Sequence, residues 1–525
     1  MTERINVLLI TADQWRADCL SRLGHPTVRT PHLDELAAGG VTFRRHYAQC
    51  TPCGPSRASL LTGMYMMNHR SVRNGTPLDA RFTNIALEMR KLGYDPGLIG
   101  YTDTSLDPRT LDPNDPALKT YSGTLPGFVQ LVPGSEGSRA WALALEAKGY
   151  KLGLEAKSVY APVADHPEAA GRGPSFAPAR FKAEDSHTAF DVEAAIQHLK
   201  GAKRPWFLHL SLLRPHPPFI APEPYNALYD PDKVPERIGA ANPEAESKLH
   251  PHVAYAVKWC REKEGLDPAT HPTEPSAMRQ LRATYYGLMS EVDDQLGRLI
   301  AHLKEVRQFE KTLIVFTTDH GEQLWDHWGM GKEFFFEQSF NIPLIIRAPG
   351  RMADSARGRI VDAFTESIDV MPTILDWLSA ELPLQCDGAS LKPWLKGEAP
   401  AGWRDAAHFE LDFRDVVRGS SEKELGIGLD DCALAVLRDK QYKYIHFAAL
   451  PPILFDLTDD PHELRNRAED PAYAGIKVDM MGRMLSWRLG HAERRLTGIR
   501  LTGDGPFEVP RARRQTTIGM TSPVP

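Results

Sequence analysis

The sequence predicts an α/β fold built on a large, mixed, mostly parallel sheet, and three runs of residues carry that prediction. Residues 5–11, 206–212 and 312–318 are short, β-branched and almost continuously apolar, as strands buried on both faces of a parallel sheet are. Helical patterns lie between them, at 84–92, 186–200 and 285–299. Each run also hands over to polar residues: Asp13-Gln14, Arg214-Pro215-His216 and Asp319-His320. Open parallel sheets bind ligands beyond the carboxyl ends of their strands.

The elements follow in order. Thr30 and Pro31 open a helix that Gly39-Gly40 close, a strand starts at Val41, and residues 84–92 and 96–100 continue the β-α-β alternation. Residues 105–180 are rich in Pro, Gly and Ser with few periodic segments, and read as an insertion over the site. Two prolines after His216 predict an extended loop holding a histidine suited to proton transfer. A lone histidine is more often structural, and Asp13 before a helical stretch reads equally well as a cap. The helix around Tyr285–Leu299 has apolar residues at helical spacing and is assigned packing only. Residues 342–347 form the next strand, and 435–438, 442–447 and 453–457 a small antiparallel sheet.

The chain is organised around Cys53-Gly54-Pro55-Ser56-Arg57-Ala58-Ser59-Leu60-Leu61-Thr62-Gly63. Pro55 suits a first helical turn and Gly63 a stop, so Cys53 stands at a helix N-terminus. That end favours anions and lowers the pKa of a thiol placed there; Arg57, one turn on, adds a cation aimed at the same point. Cys50 and Cys53 also form a C-x-x-C, which leaves open a redox or metal-binding protein. The other cysteines are scattered singly, without zinc-site spacing.

The eleven-residue stretch resembles the signature of the type I sulfatases and the phosphonate monoester hydrolases, within the alkaline phosphatase-like superfamily. The resemblance extends over about residues 5–470, and implies an α/β/α sandwich with a smaller C-terminal antiparallel-sheet subdomain. It implies that Cys53 is oxidised by a formylglycine-generating enzyme, and that the hydrated aldehyde is the nucleophile. It makes Asp13, Gln14, Asp319 and His320 ligands of one divalent metal ion, with residue 53 supplying a further oxygen. It casts Arg57, His216 and Lys332 as catalytic and Asn74, Tyr101 and Asp103 as substrate-binding. Taken without the family, Asn74-Gly75 is an ordinary turn and Lys332 a solvated lysine. Asp13-Gln14, Tyr101 and His320 resemble the phosphonate hydrolase branch; Asp103 departs from both branches and would repel an anion unless protonated or turned away. A nitrogen ligand weakens the case for Ca²⁺ and raises that for Mn²⁺ or Zn²⁺, with Mn²⁺ the first choice. The implied activity is hydrolysis of sulfate monoesters, phosphonate monoesters or phosphodiesters, with phosphomonoester hydrolysis as the rival.

Composition bounds the rest. With 525 residues, 42% hydrophobic and 25% charged, the chain is globular; 62 basic against 68 acidic residues give −6, which predicts neither a nucleic-acid nor an anionic-membrane partner. No apolar run approaches membrane-spanning length, and no signal-peptide core precedes the first strand, so cytoplasmic residence is expected. A catalytic region at 1–395, a small sheet at 396–470, and a C-terminal helix and tail at 471–525 that could embrace a second copy in a homo-oligomer complete the expected organisation.

Overall fold

The computed structural model describes residues 5–134, 138–202, 205–262, 272 and 274–508. In the large sheet, strands β1 (Asn6–Ala12) and β2 (Val41–Tyr47) are joined by β4 (Pro96–Gly100), β5 (Val129–Pro133), β6 (Phe207–Leu212), β7 (Thr312–Thr317), β8 (Asn341–Ile342), β9 (Leu344–Arg347) and β10 (Arg359–Glu366); β3 (Cys50–Thr51) lies elsewhere. The order is β10-β2-β9-β7-β1-β6-β4-β5, with β8 beside β2. β1 sits between β6 and β7 and pairs with both in parallel, while β9 and β8 run antiparallel to their neighbours.

Strand alternation sends each face into its own core. Leu8, Ile10, Ile314 and Phe316 pack with Leu281, Leu288, Val292 and Leu296 of the long helix Pro275–Glu305. Val7, Leu9, Leu313 and Val315 pack with Ala58, Leu60 and Leu61 of the helix Cys53–Thr62 and with Ile374 and Leu375 of the helix Val370–Trp377. The result is the three-layered, alkaline phosphatase-like sandwich that the sequence implied.

The small sheet consists of β11 (Ala406–Asp412), β12 (Ala433–Asp439), β13 (Tyr442–Phe447) and β14 (Ile453–Asp456), with β3 as its fifth strand. β3 pairs in parallel with β11, so the small sheet is hydrogen-bonded to the segment that leads into Cys53. The C-terminal helix runs from Ala474 to His491 and lays Met480 and Met484 on Leu437, Tyr444 and Leu454 of this sheet. The end of the expected tail, 509–525, lies outside the described residues.

The stretch at 105–180 is more ordered than its composition predicted. It supplies edge strand β5, the helix Arg139–Ala147, and a small core in which Trp141, Leu145 and Tyr160 pack with Tyr101 and Leu213.

Candidate active site

Four strand ends and one helix build the site. The carboxyl end of β1 delivers Asp13 and Gln14, that of β7 delivers Asp319 and His320, and β4 ends at Gly100, just before Tyr101. Gly100 has φ +100° and an added Cβ would lie 1.9 Å from the Ser211 carbonyl oxygen, so only glycine lets β4 turn this close to β6. The helix Cys53–Thr62 begins at the predicted residue and ends at Gly63 in the left-handed conformation. Its first turn abuts the β4 loop: a Cβ at Gly54 would come within 2.9 Å of the Asp103 carbonyl oxygen.

Ligand atoms of Asp13, Cys53, Asp319 and His320 all lie within 4.8 Å of one another, and all four residues are buried. Cys53 Sγ is 3.1 Å from His320 Nε2. His320 Nδ1 is 2.9 Å from the Gly321 carbonyl oxygen, an acceptor, so Nδ1 carries the hydrogen and Nε2 keeps its lone pair for the cluster. Burial lowers the histidine's pKa, which keeps the ring neutral. Asp13 Oδ1, also buried, has no hydrogen-bond partner. A buried carboxylate oxygen without a donor, beside a neutral imidazole, a second carboxylate and residue 53, fits a divalent cation.

Arg57 is placed differently from the expectation. Its guanidinium is buried; Nε donates to Asp319 Oδ2 at 2.9 Å, one terminal nitrogen to Asp13 Oδ2 at 3.0 Å, and the other to Ser211 Oγ at 2.7 Å and the Tyr101 carbonyl at 3.1 Å. The arginine therefore clamps two candidate ligands from behind instead of pointing at a substrate anion. Tyr101 does likewise: its hydroxyl donates to Asp13 Oδ2 at 2.6 Å while its ring lies under Arg57. Burial alone would raise the Asp319 pKa, but the polar His320 ring beside it and the charges of Arg57 and Lys332 hold it well below the usual carboxylate range.

Gln14, in the left-handed conformation at φ 69°, is gripped on both branches of its amide. Nε2 donates to Glu322 and Oε1 accepts from Lys332 Nζ at 2.7 Å. Glu322 Oε1 accepts from Leu324 N at 2.8 Å and Gly331 N at 2.6 Å, closing the loop that carries Lys332 back to the site. Burial pushes Lys332 down in pKa, but its neighbours Cys53, Asp13 and Asp319 outweigh it and the lysine stays protonated. Glu322 was not singled out from the sequence; its signal is its place three residues after Asp319.

The long helix does more than pack. Tyr285 donates its hydroxyl to the Gln14 carbonyl at 2.7 Å, and Arg282 pairs with Asp326 inside the Glu322–Lys332 loop. The packing-only assignment fails because its polar residues face inward at the strand ends, a relation invisible to helical periodicity.

Asn74 sits in the turn expected of Asn-Gly and also caps the nucleophile helix, its Oδ1 accepting from Gly54 N at 2.8 Å. Its amide NH₂ is left as the donor branch. Asp103, at φ 46°, accepts from Ser122 Oγ at 2.7 Å, and burial raises its pKa toward the neutral acid. His216 follows β6 at the same sheet end, half-buried, with Nδ1 2.8 Å from the Pro217 carbonyl oxygen. The extended loop expected there is a turn, closed by His216 N donating to the Leu213 carbonyl and tied by Arg214 to the carbonyls of His216 and Pro218.

The helix terminus does not give Cys53 a low pKa. Burial and the nearby carboxylates Asp13 and Asp319 push the thiol well up. Cys50 turns instead to Ser59 Oγ at 3.5 Å, and both cysteines are free thiols. The pair is thus held apart by separate partners, which removes the support for a redox C-x-x-C.

The sulfatase family profile matches residues 5–380, well over half of the chain. The chain belongs to the sulfatase family. The C-terminal profile of N-sulphoglucosamine sulphohydrolase matches residues 325–489 of this sulfatase. The multifunctional alkaline phosphatase superfamily protein PehA of Trinickia caryophylli is 45% identical over 514 residues, covering 96% of this chain and 98% of that protein. The crystal structure of the phosphonate monoester hydrolase of Agrobacterium radiobacter superposes with a TM-score of 0.91 at 44% identity, over 97% of this chain and 100% of that one. An arylsulfatase of Clostridium perfringens is 27% identical over 499 residues, 91% of this chain and 93% of that protein. Membership makes the chain an ester-bond hydrolase and implies a metal ion and formylglycine.

Proposed function

We propose that this protein hydrolyses sulfate monoesters, phosphonate monoesters and phosphodiesters, using residue 53 in its formylglycine form as nucleophile. The observation that carries the reading is the buried cluster of Asp13, Cys53, Asp319 and His320 with an orphaned Asp13 oxygen aimed into it. The names of its relatives, a multifunctional phosphatase-superfamily protein, a phosphonate monoester hydrolase and an arylsulfatase, support the breadth.

Asp13, Asp319 and His320 would hold one divalent ion, with Gln14 and residue 53 adding oxygens; mixed oxygen and imidazole donors favour Mn²⁺ over Zn²⁺ or Ca²⁺. When bound, such an ion lowers the pKa of a hydroxyl it touches and takes up charge from the substrate oxygens. Arg57 helps keep Asp319 ionised and aims both carboxylates, with Tyr101 adding a second donor to Asp13. Lys332, protonated beside Gln14, is the proton donor for the leaving alcohol; Asn74 NH₂ donates to a non-bridging oxygen. His216 is a second proton donor on the β6 side. A phosphomonoesterase would want a second metal for its dianion. Among the described residues the other grouping of possible ligands is His32, Asp293 and Asp294, where Asp293 accepts from the backbone N–H of His32 and Leu33 at a helix start.

No described helix is long and apolar enough to cross a membrane; a cytoplasmic, homo-oligomeric enzyme is the reading we carry forward. Val478, Leu485 and Leu489 of the C-terminal helix, 68%, 60% and 72% exposed, support a second copy as its cover.

The deciding experiment joins two measurements. Mass spectrometry of the tryptic peptide 46–57 reports whether residue 53 has lost its sulfur, and kcat/KM on 4-nitrophenyl sulfate, an aryl phosphonate monoester and an aryl phosphate monoester reports the class. Modified, metal-loaded protein that turns over none of the first two, or prefers the phosphate monoester, overturns the proposal.

A further inference from the structure

The turn after β6 has few backbone donors with which to hold its own shape. In Arg214-Pro215-His216-Pro217-Pro218 three of the five residues are proline and bring no N–H. The backbone ties it at two points, His216 N to the Leu213 carbonyl at 3.0 Å and Ile220 N to the Pro218 carbonyl at 2.8 Å.

The Arg214 side chain supplies what the prolines lack. It is buried, and Nη1 spends both of its hydrogens on the turn, one on the His216 carbonyl and one on the Pro218 carbonyl, each at 2.7 Å. The carbonyl between those two, that of Pro217, lies 2.8 Å from His216 Nδ1. An acceptor at that place puts the hydrogen on Nδ1 and leaves Nε2 as the nitrogen that exchanges a proton. Three successive carbonyls are thus engaged, the outer two by the arginine and the middle one by the histidine whose ring it orients.

The guanidinium is itself held in place. The ring of Tyr160 lies over it at 4.4 Å, and the Tyr160 hydroxyl is 2.8 Å from His187 Nδ1. Glu291 of the long helix, also buried, lies within its electrostatic reach. Nη2 is buried without a hydrogen-bond partner, so the grip on the turn runs through Nη1. Arg57 clamps two carboxylates, whereas Arg214 spends a buried charge on neutral carbonyls. Burying a cation in that way is costly, and the turn that it shapes carries His216.

We infer that Arg214 is a positioning residue for His216: by gripping the carbonyls on either side of Pro217 it fixes the tautomer and the orientation of the imidazole that hands a proton to the leaving alcohol. This rests on the function proposed above, in which His216 is a proton donor, and deepens it. The test is a double-mutant cycle read on two esters. The nitrophenolate of 4-nitrophenyl methylphosphonate departs with little help, whereas the leaving oxygen of phenyl methylphosphonate needs the proton. kcat/KM is measured on both for the parent, His216→Ala, Arg214→Met and the double variant, at matched formylglycine occupancy. His216→Ala should lose about 100-fold on the phenyl ester and less than about threefold on the nitrophenyl ester, within the span of general acid catalysis. Arg214→Met should lose about tenfold, again chiefly on the phenyl ester, and nothing further once His216 is gone, because it acts through that ring. Arg214→Lys keeps a charged donor for one carbonyl and should fall between the parent and Arg214→Met; read through the same cycle, it decides the matter if Arg214→Met does not fold. Losses equal on the two esters, or losses that multiply in the double variant, overturn the positioning role alone. A His216→Ala protein that keeps the parent's ratio between the esters removes the proton donor and the positioning role with it, and a parent inactive on both esters overturns the proposed function beneath them.

Discussion

Two arginines in this molecule, Arg57 buried and Arg404 nearly so, do the same electrostatic task in different company. Arg57 lies between Asp13 and Asp319 at the reaction centre, and Arg404 lies between Glu366 and Asp369 where the large sheet meets the small one. At the second place every carboxylate oxygen is satisfied. Glu366 accepts from His408 N and the Tyr65 hydroxyl, and Asp369 from Ala389 N and Glu366 N, besides the arginine. At the first place Asp13 Oδ1 has nothing, and Cys53 and His320 point at the same gap. Closed, the triad is a structural rivet; open by one oxygen, it is a candidate metal site. In both, two buried carboxylates share one arginine, so the unspent acceptor separates structure from chemistry.

The comparison breaks first at Cys53. Cys53→Ala leaves the clamp of Arg57 on Asp13 and Asp319 intact, so the fold should persist, with unchanged circular dichroism, while kcat falls by roughly a thousandfold or more, the loss expected for a covalent nucleophile. Turnover within tenfold of the parent would refute the nucleophile. Arg404→Met should instead cost stability, about 3–5 kcal/mol, because it leaves two buried carboxylates unpaired. Adding Mn²⁺ should raise the melting temperature of the parent but restore none of this loss, since no ion site exists at the rivet. The rivet is also acid-sensitive. Burial would raise the Glu366 pKa, but Arg404 and His408 hold it below the ordinary glutamate value. A folded-state pKa below the unfolded one contributes stability in full above about pH 4.5, lost as the pH falls toward the folded value. Acid melts should therefore lose a step in Arg404→Met; a parallel pH dependence in both proteins would exclude the pair as its origin.

The next effect sharpens the open site. Glu322 fixes which branch of the Gln14 amide faces the cluster by taking the NH₂ branch for itself. Glu322→Gln offers an amide that satisfies either orientation, so metal affinity measured by calorimetry should drop about 10- to 100-fold, the usual range for a ligand's supporting partner. Unchanged affinity would leave Glu322 with the loop alone.

How much of this was legible follows from distance along the chain. Asp13, Cys53, Asp319 and His320 stand at the ends of apolar runs or inside a long motif, and local pattern finds them. Glu322 with Gln14, Tyr285 with Gln14 and Arg404 with Glu366 are pairs whose meaning exists only after the sheet has formed. β3 is two residues long, too short for any period. β11, absent from the sheet expected from the sequence, carries His408, Glu410 and Asp412 at alternate positions; all three are buried, because Arg488 pairs with Glu410, the His408 ring stacks on Trp487 and Asp412 takes Arg414. Sequence pattern assumes that polar residues seek water, and a rivet between sheets violates it.

The smallest effect concerns Asp103, whose carboxyl lies within electrostatic reach of Cys53, Arg57 and Tyr101 and is held by Ser122. Burial raises its pKa, so it is neutral at lower pH than its folded value and anionic above it. Only the anion repels substrate. By Coulomb's law the penalty on a doubly charged phosphate monoester is twice that on a singly charged sulfate or phosphonate monoester, a difference of roughly 1 kcal/mol or about fivefold. Asp103→Asn keeps an acceptor for Ser122 and removes the charge. It should raise the phosphate-to-sulfate ratio of kcat/KM by that factor at alkaline pH and leave the ratio near the parent's in acid, where the aspartic acid is already uncharged. A ratio that rises equally at both ends of the pH range would mean that Asp103 stays ionised throughout, and one that never rises would mean that its charge is spent on Arg57 before any substrate arrives.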